Sequence, residues 1–195
     1  MLPRIYLIRH GETEWSLSGQ HTGRTDIPLT PRGEEQARQL GEQLRHIEFA
    51  RILTSPLQRA RRTCELAGYG DRMEIEPDLS EWNYGQYEGM LGADIRKVWP
   101  DWNVFQHGCP GGESPEDISK RADHMVTHLR PIEKNVAIFS HGHFLRVLAT
   151  RWIGQPVREA RYFLLNTASV SILGFEHNNL DEPVIVLWNE VSASK

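Results

Sequence analysis

The sequence predicts an α/β fold, a three-layer α/β/α sandwich around a mostly parallel sheet with an antiparallel strand near the end. Three observations carry this. Short apolar runs alternate with longer segments of helical period. Helical segments open repeatedly on a hydroxyl residue followed by proline, at Thr30-Pro31, Ser55-Pro56 and Ser114-Pro115, the start favoured by side-chain capping and a proline at the first helical position. The last two apolar runs are joined by a polar turn, Glu176–Pro183, as hairpin strands are.

The elements follow in order. Arg4–Ile8 is the first strand, and Thr30-Pro31 opens a helix whose period is kept by Ala37, Leu40, Leu44 and Ile47. Arg51–Thr54 is a second strand. A helix from Ser55-Pro56 then runs to about Ala67, stopped by Gly68, since glycine favours the left-handed helix end. Met73–Glu76 reads as a third strand. Residues 77 to 113 are rich in Gly, Trp and Tyr, with one short helix near Asp94–Val98; so long a stretch with little pattern reads as a functional lid. Ser114 starts a helix lasting to about Leu129, Val136–Phe139 is a strand, and Phe144–Trp152 a helix. Ser169–Phe175 and Val184–Trp188 close the sheet. There is no internal repeat, low-complexity tract or linker, so residues 1–195 read as one domain.

Composition narrows the function. A net charge of −4 offers no general basic surface for nucleic acid. No apolar run reaches the roughly 18 residues needed to span a bilayer. The N-terminus lacks a small-residue cleavage site and reads as mature sequence. Cys64 and Cys109, the only cysteines, fit a reducing compartment although a disulfide between them is conceivable; cytoplasmic location is the expectation. Oligomeric state is left open.

The chemistry sits where strands end. The first strand runs into Arg9-His10-Gly11-Glu12-Thr13, and Val136–Phe139 runs into Ser140-His141-Gly142-His143. In open α/β sheets the carboxyl edge is where ligands bind. A neutral imidazole at His10 can attack phosphorus and carry the phosphoryl group covalently, provided its other nitrogen is fixed; a lone strand-end histidine equally suits packing. Arg9 and His10 are neighbours, so both reach one site only if the chain bends, as Gly11 permits. Arg59, early in its helix, projects to the same edge and can hold phosphate oxygens in bidentate fashion, whereas Arg61 and Arg62 read as a solvated face. Gly142 would expose helix N–H groups to an anion. The His141/His143 pair and the His124/His128 pair raise the possibility of a metal, but no complete ligand set accompanies either. Glu81, among Trp82 and Tyr84, reads as a desolvated carboxyl whose raised pKa suits a general acid; the plain alternative is a loop carboxylate.

Together these blocks resemble the histidine phosphatase superfamily, the phosphoglycerate mutase-like fold. The resemblance rests on Arg9–Thr13, Thr22-Gly23, Asp26–Thr30 with Gly33, Thr54–Ala60, Leu79-Ser80-Glu81 with Gly85 and Glu88-Gly89, Pro110–Ser114, and Ser140-His141-Gly142, in that order along most of the chain. It implies that His10 is phosphorylated, that Arg9, Arg59 and His141 hold the phosphoryl oxygens, and that Glu81 serves the leaving oxygen and then water. It implies substrate contacts from Ser16, Thr22, Gly23, Tyr84, Gly142 and His143, a small phosphorylated metabolite as partner, and no metal or other cofactor. Mutases of this family usually have asparagine where Ser16 stands, and a longer insertion with cations for a carboxylate; here Met90–Cys109 holds only Arg96 and Lys97 as cations. That favours a phosphatase, with phosphoglycerate mutase as the alternative and a binding module without turnover as the non-enzyme one. Thr13–Asp26 and Tyr84–Met90 also resemble the sedoheptulose-1,7-bisphosphatase branch, which implies a sugar phosphate or bisphosphate, with Arg24 a candidate for a second phosphate.

Overall fold

The structure, a computed structural model, describes residues 2–191. Six strands form one sheet: β1 (Ile5–Arg9), β2 (Arg51–Thr54), β3 (Met73–Ile75), β4 (Val136–Ser140), β5 (Ser169–Phe175) and β6 (Pro183–Val191), in the order β3-β2-β4-β1-β5-β6. β1, β2, β3 and β4 pair in parallel, and β5 is antiparallel to both its neighbours, β1 and β6. The helices are α1 (Glu14–Ser18), α2 (Pro31–Leu44), α3 (Gln58–Cys64), α4 (Gly92–Val98), α5 (Val104–His107), α6 (Pro115–Leu129) and α7 (Gly142–Trp152).

β1 lies inside the sheet, so every residue from Ile5 to Ile8 is apolar and buried. Alternation sends Ile5 and Leu7 into the core under α6 and α7, with Ile118, Met125 and Phe144. Tyr6 and Ile8 face the opposite layer, with Leu40 and Leu44 of α2 and Cys64 of α3. α2, after β1, and α7, after β4, therefore cover opposite faces of two adjacent strands. This is the topological switch point where α/β sheets open a crevice at their carboxyl edge.

Two helix starts are as the sequence predicts. The Thr30 hydroxyl accepts from Gly33 N at 3.0 Å, and Ser114 forms a capping box with Asp117. The third is not: α3 begins later, at Gln58, with no side-chain cap, and the Ser55 hydroxyl instead accepts Leu57 N at 3.2 Å and meets His141 Nε2 at 2.7 Å. Gly68, at φ 89°, ends the following turn as expected. The short helices α1 and α5 were not predicted.

Much of residues 77–113 is built into the core. Trp82, Tyr84, Ile95, Trp102, Val104 and Phe105 are buried in the α6/α7 core. Cys109 joins them, and Cys64 lies in the opposite layer; both are free, and burial pushes both thiols up to about 12, which leaves them inert at neutral pH. Among the described residues no helix is long and apolar enough to cross a membrane.

Candidate active site

β1 and β4 run in register with Arg9 opposite Ser140, so their ends deliver His10 and His141 side by side, ring centroids 5.2 Å apart. A cleft of about 180 Å³ opens there, lined by Arg9, His10, Ser16, Thr22, Glu81 and Tyr84 together with Gly142, His143 and Arg146 of α7.

His10 extends the sheet ladder by one residue: its N–H donates to Ser140 O and its carbonyl accepts from Ala168 N, both at 3.0 Å. Nδ1 lies 2.7 Å from Gly11 O. A carbonyl only accepts, so the proton is on Nδ1 and the Nε2 lone pair is left for the cleft. Burial, reinforced by the charges of Arg59 and Arg9, holds the imidazole well below the usual histidine range, against the pull of the Gly11 bond. Gly11 is required for a different reason from the bend expected: a Cβ there would meet Gly33 O at 2.4 Å, so two backbones touch at this point.

Arg9 shares the site because its guanidinium lies across the start of α7, where a Cβ on Gly142 would sit 3.2 Å from Arg9 Cζ. Its Nη1 donates to Leu165 O at 2.5 Å, and its buried Nε has no partner.

Arg59 and His141 lie beneath the lining. Arg59 is fully buried; it donates Nε to His141 Nδ1 at 3.1 Å and its Nη atoms to the carbonyls of Thr25, Thr22 and Gly23 at 3.0, 3.1 and 2.8 Å. Arginine only donates, so His141 carries its proton on Nε2, directed at Ser55 Oγ. Burial and then Arg59 keep His141 neutral, well below the usual range. Gly23 is also behind the lining, its N–H spent on Glu88 at 2.8 Å.

Glu81 departs most from expectation. It is buried, as expected, but backbone donors also hold its carboxyl: Oε1 accepts from the N–H groups of Trp82 and Phe144, each at 2.8 Å, and Oε2 from His143 N at 3.0 Å. The helix N–H groups expected at Gly142 to receive an external anion are thus taken by the protein's own carboxylate.

On the far wall the Tyr84 hydroxyl makes a short hydrogen bond with His143 Nδ1. Burial, and then Glu81, push Tyr84 well above the usual range; it stays a phenol and donates, which leaves His143 with its proton on Nε2. Ser16 is fixed by its capping box with Thr13, and Thr22 hydroxyl by Gln20 O at 3.2 Å.

Among the lining residues that the sequence reading did not single out are two with chargeable side chains, Arg146 and His21. Arg146 donates Nε to Ala160 O at 3.1 Å and Nη2 to Arg161 O at 3.2 Å, stacks over Phe105 at 4.5 Å, and is lowered to about 10 by burial. His21 packs on Tyr84 and is lowered to about 4 by burial and Arg96. Arg24 is exposed and outside the lining. No residue from 90 to 113 lines the cleft. Among the described residues no group of three or more His, Cys, Asp or Glu is placed to hold a metal ion; His124 instead pairs with Asp78 at 2.6 Å.

Comparison with known proteins agrees with this geometry. A family model described as the histidine phosphatase superfamily (branch 1) matches residues 5–191. An acid phosphatase of Mycobacterium tuberculosis is 43% identical over 180 residues, 89% of this chain and 87% of that protein. The sedoheptulose 1,7-bisphosphatase of Saccharomyces cerevisiae is 32% identical over 96% of this chain and 93% of its own length. A solved structure of the product of the Mycobacterium tuberculosis open reading frame Rv3214 superposes with a TM-score of 0.92 at 39% identity, covering 97% of this chain and 98% of that one.

Proposed function

The chain belongs to the histidine phosphatase superfamily and is a phosphatase; from that premise we propose that it hydrolyses phosphomonoesters through a phosphohistidine on His10, without a metal. The observation that carries this is the His10 ring: Nδ1 pinned to Gly11 O, Nε2 facing the cleft, and burial beside two arginines keeping the imidazole neutral and nucleophilic.

In the first step Nε2 attacks phosphorus as the bond to the ester oxygen breaks, and the leaving oxygen takes a proton from the Glu81 carboxyl. That proton enters with the substrate as its phosphate monoanion, since every hydrogen bond to Glu81 in the free site is a donation to it. Arg9 meets the phosphoryl oxygens, while Arg59 and His141 act on the developing charge from beneath the His10 ring. In the second step Glu81 takes a proton from water, the water oxygen bonds to phosphorus, and the P–N bond breaks. Ser16, Thr22, Tyr84 and His143 orient the rest of the substrate, with Gly142 supplying room and Gly23 supporting the Thr22 turn.

The substrate class we infer is a sugar phosphate or bisphosphate. Arg146 gives the cleft a second cation, and a relative named for a sugar bisphosphatase aligns along nearly the whole chain. The test is phosphate release from a panel of sugar phosphates, bisphosphates and p-nitrophenyl phosphate in excess chelator, with His10→Ala and Arg146→Gln alongside. Release that survives chelation and vanishes in His10→Ala is expected, with Arg146→Gln impaired on bisphosphates alone. Transfer of phosphate between carbons of phosphoglycerate without release would instead establish a mutase.

A further inference from the structure

Arg121 lies on α6, outside the cleft, yet its contacts converge on Glu81. Nη1 donates to the carbonyls of Asp78 and Ser80, both at 2.6 Å, and Nη2 to Glu81 O at 3.3 Å. Nε and Nη2 also meet the two carboxylate oxygens of Glu113 at 3.0 and 2.9 Å. Glu113 in turn accepts Asn83 N at 2.7 Å and, on its carbonyl, Trp82 Nε1 at 3.0 Å. The guanidinium lies 4.5 Å over the Phe144 ring, and Phe144 N is one of the donors that hold the Glu81 carboxyl. Residues 80–84 have no helix or strand to fix them.

We propose that Arg121, paired with Glu113, is a positioning residue that aims Glu81 at the leaving oxygen. It holds the chain on both sides of Glu81 and the α7 residue that seats its carboxyl. The ion pair is only 14% and 19% exposed, so it is shielded from water and holds a single arrangement. A planar fork of five donors meets these acceptors together; a lysine ammonium has three and no plane. The inference rests on the reading of Glu81 as proton donor.

The experiment compares wild type, Glu81→Gln, Arg121→Lys and Arg121→Met on an alkyl phosphate and on p-nitrophenyl phosphate, with thermal melts to confirm folding. p-Nitrophenolate departs without help, so only the alkyl ester reports proton donation. Because kcat/KM reports phosphorylation of His10 and not the hydrolysis step that both esters share, Glu81→Gln is expected to lose about 100-fold or more in kcat/KM on the alkyl ester and far less on the aryl ester. Both Arg121 variants should show the same selectivity, with kcat/KM on the alkyl ester down roughly 10- to 100-fold and on the aryl ester within about 3-fold of wild type. Arg121→Lys keeps the charge and the stem, so a folded variant is in hand if Arg121→Met melts. Equal losses on both esters in the Arg121 variants, with Glu81→Gln still selective, would make Arg121 merely structural and overturn the proposal. An unselective Glu81→Gln would overturn the proton-donor reading, and the proposal with it.

Discussion

The two walls of the cleft are built in different ways. His10 is placed by the sheet: its backbone continues the pairing of β1 with β4 on one side and contacts Ala168, next to β5, on the other. Glu81 is placed by side chains and a helix end: three backbone donors grip its carboxyl, and an arginine on α6 grips its chain. The first arrangement survives most side-chain changes, because ladder bonds do not depend on residue identity. The second depends on a few residues and fails when one of them changes. The proposed nucleophile is a consequence of the fold; the proposed proton donor is an addition to it.

The predictions test that contrast, in descending size. His10→Ala removes the nucleophile and leaves the sheet intact, so turnover should fall by at least about 10⁴-fold with an unchanged melting temperature, read by phosphate release and calorimetry. Gly33→Ala attacks the nucleophile's wall through its backbone instead. Its Cβ would lie 2.1 Å from Glu12 O, where neither partner yields, and unfolding in denaturant should show a loss of about 1–3 kcal/mol or more.

Acid should separate stability from nucleophile charge. His10, His141 and His143 are held well below the usual range and His21 near 4, chiefly by burial. The unfolded chain then binds more protons than the folded one below about pH 6.5, so this contribution is complete above that pH and is lost as pH falls toward 4. Melting temperature should drop over that window, while kcat/KM of the folded enzyme shows no loss on acidification through about 6.5, because His10 stays neutral. The smallest effect is expected at Arg24→Ala: exposed and off the lining, it should change activity on bisphosphates by less than about 2-fold, within the range of ordinary surface changes.

What the sequence made legible follows the same division. The strand ends, the Thr30 and Ser114 caps and the antiparallel strand near the end are local patterns, and the ladder carries Arg9, His10 and His141 to one edge. Local rules failed where a distant side chain intervened. Ser55 reads as an N-cap, but its hydroxyl holds Leu57 N and a histidine 86 residues away, and the helix starts only at Gln58. The start of α7 reads as an anion site, but Glu81 occupies it. Arg146 reads as an ordinary helix residue, and only the rotation of α7 against Phe105 turns it toward the cleft. The helix α1 spans five residues, too few to display a period; its sole signal is the Thr13/Ser16 cap. The family motifs located Glu81 without revealing how it is held.

The most direct measurement is to quench the enzyme during turnover of a phosphate-labelled ester in excess chelator and map the label by mass spectrometry. The account predicts an acid-labile phosphoryl group on His10, absent from His10→Ala and accumulating in Glu81→Gln when an aryl ester is used, because water is then poorly activated. Turnover with no label on the protein, or label on another residue, would contradict it.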